Sequence, residues 1–183
     1  NIGVKENKQP YRLNIVGERT SYKATNIYDD KLHVWRYDSV GKLEYFVCDA
    51  TTKAGLHYTI DPMNPQGVAI LAAGHHANSW EYGLHKGKPA LRQCKELKVY
   101  RDNNKNSIFD LSKITIAPVT SFINIHYPDA NDNDSKKIGR YSAACQVVEK
   151  ISDWNRFWSW VETDYKMHKL LFSYTVVESE YLK

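Results

Sequence analysis

The chain has 183 residues and a mass of 21.2 kDa, which fits one domain able to bury a self-sufficient core. Thirteen Tyr, five Trp and 42% hydrophobic residues exclude a disordered or fibrous chain and favour a β-rich globular one. The formal net charge of +4 is spread over scattered Lys and Arg. Without a basic stripe or a Gly-rich phosphate loop, a nucleic-acid enzyme is disfavoured, while an anionic partner such as a bacterial cell wall is compatible.

The predicted elements are mostly short strands. Tyr11–Gly17, Leu32–Tyr37 and Leu43–Asp49 are β-favouring runs, the last two joined by the turn Asp38-Ser39-Val40-Gly41. Gly67–Ala73 is a small apolar run, and Leu97–Tyr100 and Ile114–Ala117 are further strands around the polar Asp102–Asn106 loop. Ser121–His126 and Gln146–Val148 are strands on either side of a polar loop, Asp129–Ser135. One helix is predicted over Asp153–Lys169, capped by Ser152, with Asp153 in its first turn and Lys166, His168 and Lys169 near its end. Trp154, Phe157, Trp158, Val161 and Tyr165 recur on it at steps of three and four, a stripe that reads as a core face. Leu171–Val177 is a closing strand. With no repeat or linker in sight, the expectation is a mainly β (α+β) fold, a single β-rich domain over residues 1–183 with one long C-terminal helix.

Three cysteines, Cys48, Cys94 and Cys145, form no CxxC pair, and an odd number leaves at least one thiol free. That fits a reducing compartment or a reactive cysteine. No apolar run approaches the roughly 20 residues of a membrane span. The chain opens on Asn1 rather than Met, compatible with a removed leader, so the localisation stays open. So does the oligomeric state.

Two short segments carry the chemistry. Ser121-Phe-Ile-Asn-Ile-His126 delivers a histidine, and Gly139-Arg-Tyr-Ser-Ala-Ala-Cys145 delivers a thiol after a turn. A cysteine nucleophile needs an imidazole to take its proton, and a fold can bring the two together. Alternation along a strand puts Asn124 on the same face as His126, making Asn124 the expected orienter of that ring. The small residues Ser142, Ala143 and Ala144 before Cys145 would let a substrate and backbone amides come close, as an oxyanion hole requires. The bland alternative is a cysteine packed in a small-residue strand beside an unrelated histidine.

These segments resemble the L,D-transpeptidase (YkuD-like) family, in which a His, a loop and a Ser/Thr-His-Gly-Cys-x-Arg signature lie on a β-rich fold. His126 falls on the upstream His, Ser142 on the Ser/Thr and Cys145 on the nucleophile. Tyr127, Ala143, Ala144 and Val147 depart from the pattern, and with the signature Arg gone, Arg140 or Arg92 is the replacement for holding a substrate carboxylate. More of the chain resembles a group of phage and Bacteroidetes proteins sharing G-x-H-K-G, ALxQ, VYRDN, INIH and SAGCQV elements. Here they stand as Gly83–Gly87, Ala90–Gln93, Val99–Asn103, Ile123–His126 and Ser142–Val147. The resemblance implies a peptidoglycan-acting cysteine enzyme, phage-derived and lytic, held in the cytoplasm until lysis or in the envelope if a leader was removed.

Other constellations are weaker. His75 and His76 are adjacent and would point to opposite sides of a strand, which disfavours a zinc site with His85 and Cys94. His85, in an expected Gly83–Gly87 turn, is read as a substrate contact or second acid/base group. Asp102-x-Asn104-x-Asn106 has alternate oxygen spacing, yet Ser107 replaces the sixth-position Gly and Lys113 the bidentate Glu, so a solvated turn is expected. The reading is therefore a cofactor-free cysteine acyltransferase or peptidase acting on peptidoglycan stem peptides. Its catalytic residues are Cys145, His126 and Asn124, with Ser142, Ala144, His85 and Arg140 binding substrate and no metal. The rival is a non-catalytic wall-binding or virion structural module on the same scaffold, its Tyr and Trp serving partner contacts.

Overall fold

The computed structural model describes residues 6–128 and 136–179. The polar 129–135 loop lies outside the described residues. In chain order the elements are β1 (Asn14–Arg19), β2 (Asp30–Tyr37), β3 (Leu43–Thr51), the short helix α1 (Leu56–Ile60), β4 (Val68–Leu71), β5 (Gly74–His85), β6 (Lys88–Gln93), β7 (Leu97–Asp102) and β8 (Ile114–Ala117). After a 3-10 turn at Val119–Ser121 come β9 (Ile125–His126), β10 (Gln146–Val148), α2 (Ile151–His168) and β11 (Phe172–Glu178). Eight strands close a barrel in the order β1-β11-β5-β6-β9-β10-β3-β2, and β4-β7-β8 form a separate three-stranded sheet. The expected mainly β domain with one long helix is what folds. No helix among the described residues is long and apolar enough to cross a membrane.

Period-two patterning builds the first hairpin. Along β2, Leu32, Val34 and Arg36 are buried while Lys31, His33 and Trp35 are not, so one face turns to the core. The Asp38–Gly41 turn appears where expected, with Gly41 at φ 81° and Asp38 Oδ1 accepting from the Val40 and Lys42 amides. Sequence patterning misses the hairpin of β5, the longest strand, with β6. Its alternation is carried by polar residues (His75, His76, Asn78, Ser79), which dilute a hydrophobic signal. Gly83 sits inside β5 opposite Ala90, and the turn is Lys86-Gly87, both at positive φ (51° and 78°) as a two-residue hairpin of the mirror-image type needs.

The barrel core is aromatic. Trp80 and Tyr174 meet edge to face with centroids 5.5 Å apart, both fully buried. The Tyr174 hydroxyl passes over β1 to donate to Gln146 Oε1 at 3.0 Å. Gly17 makes that crossing possible, since a Cβ there would stand 1.8 Å from the Tyr174 oxygen. Helix α2 begins at Ile151 with Lys150 at its N-cap and no side-chain cap, two residues before the expected Ser152 cap, and ends on Lys169 at φ 55°. Trp154, Phe157 and Val161 are buried as the stripe predicts, whereas Trp158 and Tyr165 are half-buried and stack on Tyr82 of β5. Trp160, outside the predicted stripe, packs edge-on against Phe46 of β3. Buried Asp164 ties the helix to the chain before β1 through Arg12 Nη1 at 2.6 Å and the Leu13 amide at 2.7 Å.

Behind the loops, a second set of buried charges is bonded within the scaffold. The Asp30 carboxylate accepts from the amides and hydroxyls of Thr20 and Thr52 and from Lys53 Nζ. Arg19 donates to Thr52 Oγ1, Thr52 O and Leu71 O, joining the barrel to β4. The Asp102–Asp110 loop behaves as the solvated turn expected of it. Asp102, Asn104, Asn106 and Asp110 oxygens accept from the Asn104, Asn106, Ile108, Asp110 and Ser112 amides.

The Gly17 crossing yields a direct test. Gly17→Ala should destabilise the protein by about 1–3 kcal/mol, the range for forcing an extra methyl into a packed core. Urea unfolding at constant m-value would measure it, and an unchanged midpoint would refute the close approach.

Candidate active site

The barrel closes at its shortest strands. β9 has two residues, pairs with β6 through Leu91↔Ile125 alone, and lies parallel to β10 with Gln146↔Ile125 and Val147↔His126 in register. Side chains supply what the main chain does not. Gln93 N–H donates to Asn124 Oδ1 at 2.9 Å, and Gln93 Oε1 accepts from Ile123 N–H at 2.8 Å. Gln93 Nε2 donates to Lys95 O at 2.8 Å, and Trp80 Nε1 donates to Ile123 O at 2.9 Å. The expected strand Ser121–His126 is thus only Ile125–His126. Its first half is a 3-10 turn followed by Phe122 at φ 51°, and its polar groups are held by side chains.

This register sets Cys145 level with Asn124. The thiol donates to Phe122 O at 3.3 Å, and Asn124 N–H points at Sγ from 3.5 Å. The main-chain amide that reaches the sulfur is thus Asn124 N–H, from the opposite strand, rather than one from Ser142–Ala144. Cys145 is half-buried, and burial pushes its thiol up to about 11, against a lowering by the Asn124 amide and the Lys86 charge. Cys48 is buried and pushed up to about 12 for the same reason. The resting Cys145 is therefore a neutral thiol, the reverse of a nucleophile activated in advance.

The two imidazoles meet across the same wall. His85, at the end of β5, lies with its ring centroid 5.0 Å from that of His126. Asn124 does not orient His126: its Nδ2 donates to His85 Nδ1 at 3.0 Å. The strand alternation behind the expectation fails because residues 123 and 124 precede the ladder. His126 Nδ1 instead donates to Tyr127 O at 3.0 Å. Its Nε2 is buried with no hydrogen bond in the neutral ring, although the Tyr141 main chain lies close enough to favour a proton there. Burial dominates and pulls His126 down to about 4, with the His85 and Lys86 charges acting in the same direction. Burial, then Lys86 and Arg92, also lower His85.

Two cavities flank these groups. One of about 510 Å³ holds His126, Tyr127, Lys88 and Lys137, and one of about 430 Å³ holds Cys145, Ala144, Phe122 and Arg101. His85, Lys86, Arg140 and Tyr141 line both, and among the described residues no carboxylate lines either. Cys145 and His126 thus face adjoining chambers of one cationic cleft, and no hydrogen bond joins them among the described residues.

The remaining assignments divide. Ala144 and Arg140 line the cleft. Ser142 does not: it is fully buried, its hydroxyl set between Lys53 O at 3.0 Å and Cys145 O at 2.7 Å, so it shapes the loop rather than touching substrate. Arg92 lines neither chamber and lies 3.9 Å from Glu81. His75 bonds Thr175 Oγ1 and His76 bonds Ala72 O, both away from Cys94, whose thiol faces Asn78 O. Sequence reading passed over Gln93, Lys86 and Phe122. The one available signal was the paired turn residues Lys86-Gly87 directly after His85. No family model, curated protein or solved structure matches the chain.

The buried groups fix a pH profile for stability. Between about 6.5 and about 4 the unfolded chain binds a proton at position 126 that the folded chain refuses, so stability rises with pH across that window and is lost as pH falls through it. Above 9 the unfolded thiols ionise first, so stability falls with rising pH. Urea titrations from about pH 7 to about pH 5 should show the wild type losing more stability than His126→Gln. Parallel curves would refute the depressed imidazole.

Proposed function

We propose that the protein is a cysteine-dependent acyl-transfer enzyme acting on peptidoglycan stem peptides, with Cys145 as nucleophile and His126 as base. The observation that carries the reading is the buried, unbonded Nε2 of His126. A buried acceptor left without a partner costs about 1–3 kcal/mol, and such groups persist where chemistry uses them. Tyr127 O fixes the proton on Nδ1 and leaves the lone pair on Nε2, which is buried beside the Tyr141 main chain and must turn out of that contact to reach the thiol in the adjoining chamber.

Attack begins from two neutral groups. Sγ turns from Phe122 O toward the bound carbonyl, His126 Nε2 takes the thiol proton as the carbon–sulfur bond forms, and the imidazolium protonates the departing amine. Water as acceptor gives a peptidase and an amine gives a transpeptidase. The cationic lining of Lys86, Arg101 and Arg140, with no carboxylate among the described residues, suits the carboxylates of stem peptides. The resemblance to L,D-transpeptidases and to phage proteins supports the wall as substrate, on a mainly β scaffold of that kind, and a lytic role.

A second reading keeps the cleft and drops the chemistry: a non-catalytic wall-binding or virion module. The thiol held neutral on Phe122 O favours it. Purified peptidoglycan incubated with wild type and with Cys145→Ala, followed by mass spectrometry of the muropeptides, separates the two. New products from wild type alone are expected, and an amine acceptor then distinguishes cross-linking from hydrolysis. Identical muropeptides from both proteins, with sacculi still bound, would establish the binding module.

A further inference from the structure

The geometry points to a division of roles between the imidazoles: His85 presents an Nε2–H to the cleft, and that N–H stabilises the oxygen anion formed when Cys145 attacks a carbonyl. This rests on the acyl-transfer reading and adds a residue to it. A chain of hydrogen bonds fixes the tautomer. Gln93 N–H can only donate, so the Asn124 atom 2.9 Å from it is the carbonyl oxygen. The other amide atom, 3.0 Å from His85 Nδ1, is then the NH2 group. An NH2 donates, Nδ1 accepts, and the single proton of the neutral ring sits on Nε2.

His126 is set the other way. Tyr127 O only accepts, so Nδ1 carries the proton and Nε2 the lone pair. The two rings, 5.0 Å apart, line the same chamber, His85 as the donor and His126, its Nε2 buried in the wall, as the acceptor. His85 also lines the chamber holding Cys145, and its Nε2 bonds to no protein group among the described residues. A second proton on His85 would set an Nδ1–H against the Asn124 NH2. The ring therefore stays a neutral donor, in keeping with the lowering by burial, Lys86 and Arg92.

The step balances without His85 gaining or losing a proton. The carbon–sulfur bond forms, the carbonyl π pair moves to oxygen, the thiol proton goes to His126 Nε2, and the oxygen accepts from His85 Nε2–H. On collapse the carbonyl re-forms, the carbon–nitrogen bond breaks and His126 returns the proton to the amine. Asn124 and Gln93 act through His85 and are positioning residues.

Long-range proton–nitrogen NMR on the full chain, assigned with His85→Gln, reads the tautomer directly. The wild type is expected as Nε2–H. Asn124→Asp keeps an oxygen for Gln93 N–H but turns the other atom into an acceptor, and should move the proton to Nδ1 or charge the ring. In muropeptide turnover, Asn124→Asp and His85→Ala should lose about 10²–10³ in kcat with little change in KM, the range for removing one oxyanion donor. His85→Gln, which retains an N–H donor, should recover part of that loss. An Nδ1–H tautomer in the wild type, or wild-type kcat in His85→Ala, overturns the inference. An Nε2–H tautomer with no Cys145-dependent product instead overturns acyl transfer, and the donor role with it. The spectrum needs no substrate, so the two failures are told apart.

Discussion

Closure of the barrel at a two-residue strand is the constraint on which the site depends. A ladder as short as β9 cannot hold two neighbours by main-chain bonds. The Asn124 side chain accepts from the Gln93 amide and the Gln93 side chain from the Ile123 amide across the gap, with Trp80 adding a third tie. The Asn124 side chain then has one atom left, and it is spent on His85. The group that closes the fold is thereby the group that orients an imidazole. Buried side-chain amides of this kind are costly unless every position is bonded, and Asn124 and Gln93 are bonded on both their oxygen and nitrogen atoms.

Burial also sets the chemical character of the cleft. Thiolate–imidazolium pairs need solvent or charge to hold two ions, and here desolvation pushes the thiol up and the imidazole down. Both groups rest neutral, and the nearest positive charge is carried by Lys86 on a tight turn. Proton transfer must then accompany attack, which puts weight on hydrogen-bond donors aimed at the developing oxygen rather than on a preformed nucleophile. Buried charges elsewhere, Asp30 with Lys53 and Asp164 with Arg12, are paired within the scaffold, whereas His126 Nε2 in the cleft wall is buried without a hydrogen bond.

The strands flanking the site were legible to different degrees. β2 and β3 alternate cleanly and end at a turn with Asp and Gly in the required places, so local pattern sufficed. The β5–β6 hairpin carries the longest strand and was missed, because polar residues carry its alternation and its turn is Lys-Gly rather than a commoner Asn-Gly. In α2, a three-and-four spacing found Trp154, Phe157 and Val161 but not Trp160 and Asp164, whose burial comes from Phe46 and Arg12 far away in sequence.

By itself, the sequence determined a single mainly β domain with one C-terminal helix, at least one unpaired thiol among three and a histidine delivered by an apolar run, because composition, parity and short-range periodicity are local properties. Only the tertiary structure decided that Asn124 serves His85 rather than His126, that Ser142 is walled in, and that Cys145 and His126 face adjoining chambers rather than each other. Those outcomes hang on which backbone groups a two-residue strand leaves unsatisfied. That is settled by residues 30 to 40 positions away, at Gln93 and His85, and no window along the chain contains both sides of the bond.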